Sequence, residues 1–169
     1  MLGMANLMVA GAAMADDRGP RSSNGEFLWT AYRSAMAEHR LAKLASFHSS
    51  NEGVKVFANK LSKDQAKTVD SLRFLALEKG IKLPDDINYD QQAQIDRLNQ
   101  LSDNDFDRSF LDEAMKDNHA VLAYLQSEVS TNQDSDIRNW ASAEIPEVNH
   151  YLRMAQAIDN RVATLSSPW

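Results

Sequence analysis

Residues 51–81, NEGVKVFANKLSKDQAKTVDSLRFLALEKGI, hold a complete helix between its own start and stop signals. Asn51 is a strong N-cap, because its side-chain oxygen can accept from the free amides of the first turn. Val54, Phe57, Ala58, Leu61, Thr68, Leu72, Leu75 and Ala76 recur at helical spacing and make one inward stripe. Gly80 supplies the left-handed position that closes a helix, and Ile81 behind it is the apolar partner that a Schellman ending favours.

Working outward, the same grammar recurs. Ser23 and Glu26 form a Ser-x-x-Glu capping box, followed by Leu28, Ala31, Ala35, Leu41, Ala42 and Ala45 before a polar stop near residues 48–51. Beyond Gly80, Leu83-Pro84-Asp85-Asp86 breaks the chain, and Ile95, Leu98 and Leu101 predict a short crossing helix within residues 89–101. Ser102 and Asp105 open a third long stretch carrying Phe106, Phe110, Leu111, Met115, Leu122 and Leu125. The fourth runs from about Asp136 through Ile137, Ala141, Val148, Tyr151, Leu152, Ala155, Ile158 and Val162, with a kink expected at Pro146. No alternating strand pattern interrupts the sequence. Short links join the first two and the last two long helices. The expected fold is therefore all-α, an antiparallel four-helix bundle with the long segment between the second and third long helices crossing it.

Apolar residues at 43% and charged residues at 25% describe one ordinary globular domain. The net charge of −6, with no run of Lys or Arg, argues against a nucleic-acid or anionic-membrane surface. Residues 1–15, MLGMANLMVAGAAMA, are apolar and end in the small-x-small pattern Ala13-Met14-Ala15 that signal peptidase accepts, although the first Lys or Arg is Arg18. Export is expected, with residues 16–25 as a flexible linker and 26–165 as the bundle. The apolar run is too short to span a bilayer, which takes about 20 residues. Without cysteine the chain has neither a disulfide nor a lipid-anchored thiol. No Gly-rich phosphate loop, Gly-x-Ser-x-Gly elbow or Cys-x-x-Cys pair is present.

The chemistry of interest lies on the inward stripes. Counting places Glu38, Gln65 and Asn118 at comparable heights, with Glu144 or Val148 opposite them on the last helix. An unpaired carboxylate there would cost several kcal/mol, so it must pair, bind an ion or reach water. A hydrogen-bonded polar layer is the simplest solution. The rival is a metal site of Glu38, Glu147 and His150, with His39 and His119 flanking it, since Glu-x-x-His is how ferritin-like bundles hold iron or manganese. Only one such pair exists here. His48 belongs to a turn with no evident role, Asp117 flanks the inward stripe of its helix beside His119 with a solvated position as the alternative, and Trp29, Trp140 and Trp169 read as packing residues.

The stretches AEHRLAKLA (37–45), SSNEGVKVFANKLSKDQAK (49–67), LALEKGIKLP (75–84), FDRSFLDEAMKDNHAVL (106–122) and IPEVNHYLRMAQ (145–156) resemble the DUF4142 family of mostly exported bacterial helical-bundle proteins in the ferritin-like superfamily. The resemblance implies a ferritin-like bundle and an envelope location. The family pattern carries Asp-His on the second and third long helices, where this chain has Asp64-Gln65 and Asp117-Asn118; its helix-1 Glu and helix-4 His match Glu38 and His150. Amides bind transition metals far more weakly than imidazoles, so the implied site is degenerate. The expectation is a non-enzymatic envelope protein without a cofactor. Its alternatives are a metal-binding or di-metal oxidoreductase using Fe, Mn or Zn, and a small-ligand binding module. The sequence names no partner and leaves a homodimer open.

Overall fold

A computed structural model describes residues 22–165 of the chain, so the expected leader and most of the linker lie outside the described residues. Five helices account for nearly all of it: α1 (Ser23–His48), α2 (Glu52–Glu78), α3 (Tyr89–Asn99), α4 (Asp103–Thr131) and α5 (Ser135–Leu165). There is no strand among the described residues. The protein is all-α.

The helix ends follow the side-chain signals with small shifts. Asn51 accepts from the amides of Gly53 and Val54. At the other end of α2 the Ile81 amide reaches the Ala76 carbonyl and the Gly80 amide that of Leu77, which is the Schellman pair, with Gly80 at φ 64°. The first cap is Ser22 rather than Ser23: its hydroxyl accepts from Gly25, and residues 23–25 are helical instead of linker. Ser102 does precede α4 but makes no side-chain cap bond. A capping box between Asn88 and Gln91 starts α3, a signal the sequence reading passed over. Asp134 caps α5 through the amides of Asp136 and Ile137 and binds Lys79 and Asn24, so one carboxylate joins the starts of α1 and α5 to the end of α2. The fifth helix runs through Pro146 without a break.

Direction follows from which residues meet. Tyr32, Glu38 and His39 of α1 bond Arg73, Gln65 and Ser62 of α2, so the two run antiparallel. Lys60, Thr68 and Ser71 bond Tyr151, Glu144 and Trp140, making α5 antiparallel to α2. Phe27, Glu38 and His48 meet Tyr124, Asn118 and Phe106, making α4 antiparallel to α1. Helices α2 and α4 therefore point the same way, which only a long crossing segment can arrange. That segment is pinned where Trp29 donates to the Lys82 carbonyl (2.7 Å) and His48 donates to the Leu101 carbonyl (2.7 Å). His48 thus has a structural role that its place in a turn concealed.

The apolar interior falls into two clusters. One contains Leu41, Leu61, Phe106, Ala114 and Tyr151, the other Met36, Val69, Leu125, Ile137 and Val148. Between their fully buried members each long helix has an interval: residues 37–40, 62–68, 115–124 and 149–150.

Gly80 is open on all sides, since an added Cβ would meet no atom within 4 Å, so its only constraint is the left-handed backbone. Gly80→Ala is expected to lower stability by about 1 kcal/mol in denaturant unfolding, with Gly80→Asn losing less. An unchanged midpoint for Gly80→Ala would show that the turn is not left-handed.

Candidate functional site

The interval between the two clusters is filled by Glu38. Its Oε2 accepts from Gln65 Nε2 at 2.7 Å and its Oε1 from Asn118 Nδ2 at 2.5 Å. The polar layer expected from the stripes is therefore present, with one group from each of α1, α2 and α4. At this height α5 contributes Val148 and Tyr151, which belong to opposite clusters, with Glu144 one turn away, accepting from Thr68.

Electrostatics decide the state of the carboxyl. Burial raises the Glu38 pKa to about 8, with Asp117 adding to the rise and the bonds from Asn118 and Gln65 opposing it. Below that pH the group is a neutral acid, and its O–H needs an acceptor. Asn118 cannot supply one. Its second amide hydrogen is committed to the Ala114 carbonyl at 2.9 Å, so turning it would set two oxygens face to face. Gln65 is free to turn, because its Oε1 is buried without a partner when Nε2 faces the carboxylate. A half-turn of the Gln65 amide brings Oε1 opposite the Glu38 hydroxyl. The layer therefore has two hydrogen-bonded forms, set by one proton and one amide orientation.

Two small cavities adjoin Glu38. One of about 50 Å³ is also lined by Ser34, Gln65, Thr68 and Glu144, and one of about 40 Å³ by Gln91, Gln94 and Asp117. Each has room for water but not for an organic ligand. Asp117, which flanks the inward stripe, faces the second cavity, and burial, with Glu113 next, raises its pKa to about 6.

A second cluster ties α2 to α5. Asp64 accepts from Lys60 (2.7 Å) and Tyr151 (2.5 Å) through Oδ2 and from Lys67 (2.7 Å) through Oδ1. The Lys60 bond, then that of Lys67, holds the Asp64 carboxyl well below the usual carboxylate range. Burial, then Asp64, pushes the Tyr151 hydroxyl far above its ordinary value, so it stays a donor. These groups line a groove of about 460 Å³ with Thr68, Glu144 and Glu147. The sequence reading counted Tyr151 only as an apolar stripe residue; its hydroxyl had no visible partner because Asp64 lies on another helix.

The five candidate ligands are not brought together. Glu38 is bound by amides, and His39 donates through Nδ1 to the Ser62 carbonyl at 2.8 Å, tying α1 to α2. Glu147 and His119 are exposed, and His150 is half-buried against the Tyr151 ring, with centroids 5.9 Å apart. Among the described residues no three His, Asp or Glu side chains converge as a metal-binding group. Asp107, which the sequence reading did not single out, is fully buried at the start of α4, and burial raises its pKa against the Ser49 hydroxyl beside it.

The fold and this layer define an all-α protein whose core is divided by a carboxyl held between amides. The chain belongs to the family described as Domain of unknown function (DUF4142), whose model matches residues 9–158. Neither curated proteins nor solved structures yield a match.

Glu38 binds its proton more tightly in the folded chain than in the unfolded one, so the folded state carries the extra proton between pH of about 4.5 and 8. Its contribution to stability is complete below that window and is lost as pH rises through it. Asp117, also raised, acts in the same direction at lower pH. Glu38→Gln should remove the part of the decline up to pH of about 8, a few kcal/mol at most, measured by denaturant unfolding across pH. An identical pH profile for both proteins would contradict the assignment.

Proposed function

We propose that the protein is a non-enzymatic, ferritin-like four-helix bundle exported to the bacterial envelope, with a core carboxyl that retains a proton where related bundles place a metal ion. One observation carries this reading: Glu38 is enclosed by Gln65 and Asn118, the two positions at which the family pattern has histidine. The donor set does not suit a transition metal. A carboxyl that is neutral near pH 7 must lose its proton before it can ligate, and carboxamides offer a weak oxygen in place of an imidazole nitrogen. Glu147, which the oxidoreductase reading requires, lies at the surface, as does His119, one of the two histidines flanking that set. Support for the bundle comes from two antiparallel helix pairs joined by a long crossing segment, and support for export from the apolar residues 1–15 ending in Ala13-Met14-Ala15.

The groove between α2 and α5 favours a second reading as a small-ligand module, because its volume of about 460 Å³ is in the range of ligand sites. Half of its ten lining residues are charged, and Asp64 already engages both of its lysines.

Titrating Zn²⁺, Mn²⁺ and Fe²⁺ against melting temperature tests the main reading. The unmodified protein is expected to give no response. The Gln65→His, Asn118→His double variant should gain Zn²⁺-dependent stability, about 2.7 kcal/mol at a hundredfold excess over its Kd. Stoichiometric stabilisation of the unmodified protein that His150→Ala abolishes would overturn the proposal in favour of a metal protein.

A further inference from the structure

The net charge of −6 conceals a partition along the chain. Residues 22–82, which hold α1 and α2, carry ten Lys and Arg against six Asp and Glu, whereas residues 83–165 carry six against sixteen. The two groups of helices therefore bear opposite net charge, with the first hairpin positive.

The exposed apolar side chains follow the same division. Phe47 (81% exposed), Val56 (64%), Phe74 (62%) and Leu77 (78%) all belong to α1 and α2, and only Tyr89, which opens α3, lies elsewhere among the described residues. On α2 the outward line is Val56, Lys63, Lys67, Asp70 and Phe74, at intervals of seven, four, three and four residues, which the helical period places on one ridge, with the Asp70 carboxylate paired to Arg73 beside it. Leu77 and Lys60 flank it. Lys60 and Lys67 share the single carboxylate of Asp64, which leaves the trio positive. Lys63 beside them takes part in no ion pair among the described residues. Val56, Asn59, Lys60, Lys63 and Lys67 line a shallow open depression.

We propose that this ridge of α2 docks on an anionic lipid surface, its lysines against phosphate headgroups and Val56, Phe74 and Leu77 at the acyl boundary. The acidic helices of a second copy would answer the charge alone. Among the described residues α4 and α5 expose no large apolar side chain, so the three apolar groups of α2 would find no counterpart there. A bilayer interface supplies both partners at once. The overall negative charge does not forbid the contact, because surface charges beyond about 10 Å are largely screened at physiological salt.

Co-sedimentation of the full chain with vesicles tests the assignment. Binding is expected to equimolar phosphatidylcholine–phosphatidylglycerol vesicles, to weaken as salt rises, and to be absent with phosphatidylcholine alone. Lys63→Gln should weaken it roughly fivefold and Phe74→Ser should weaken it as well, while Lys116→Gln on α4 leaves it unchanged. Circular dichroism checks that each variant remains helical. Equal binding to both kinds of vesicle, no binding to either, or indifference to Lys63→Gln would overturn the proposal. Concentration-dependent self-association that Lys63→Gln abolishes would assign the ridge to a second copy instead.

Discussion

Asn118 spends both of its amide hydrogens inside the core, one on its own helix at the Ala114 carbonyl and one on Glu38. That double commitment fixes the height at which α4 meets α1, because sliding either helix by one turn would strand a buried amide and a buried carboxyl together. Gln65 brings α2 to the same height. The apolar clusters on either side then fill the space that this register leaves. Tyr151, just below the layer, carries the register across to α5 through Asp64. Apolar packing supplies most of the folding free energy, and the polar layer selects which packing forms.

The same groups explain why the interior tolerates a carboxyl at all. An ionised Glu38, half-buried between the clusters, would need its desolvation cost offset by two neutral amides, whereas the protonated acid needs only one donor and one acceptor. Gln65 can offer either face. A histidine at position 65 or 118 would face the Glu38 oxygens with a nitrogen suited to metal, whereas the amides hold them by hydrogen bonds and leave the Gln65 and Asn118 carbonyl oxygens buried without partners. This is a chemical consequence of two side chains, reached without moving the helices.

Much of this was legible in the sequence because its signals are local. The caps at Asn51 and Gly80 lie within three residues of the bonds they make, and the stripes place Glu38, Gln65 and Asn118 inward by periodicity alone. Periodicity gives a face, however, and not a neighbour. Glu147 and His150 do share one side of α5, but that side borders the surface, where Glu147 is exposed. The bonds from His48 to Leu101, Trp29 to Lys82 and Tyr151 to Asp64 span more than fifty residues and leave no local trace. The first cap shifted from Ser23 to Ser22 because two adjacent serines offer the same chemistry and only the backbone path chooses between them. Net charge hides its own distribution: residues 22–82 sum to a positive charge and residues 83–165 to a negative one.

The central claim is that the Glu38 carboxyl keeps its proton inside the folded chain at neutral pH. Titrating its side-chain carboxyl carbon by ¹³C NMR observes that proton directly, without unfolding the protein. The account predicts a midpoint near 8 for Glu38. A midpoint at the ordinary glutamate value of about 4.5 or below would contradict it, since the layer would then hold a carboxylate at neutral pH.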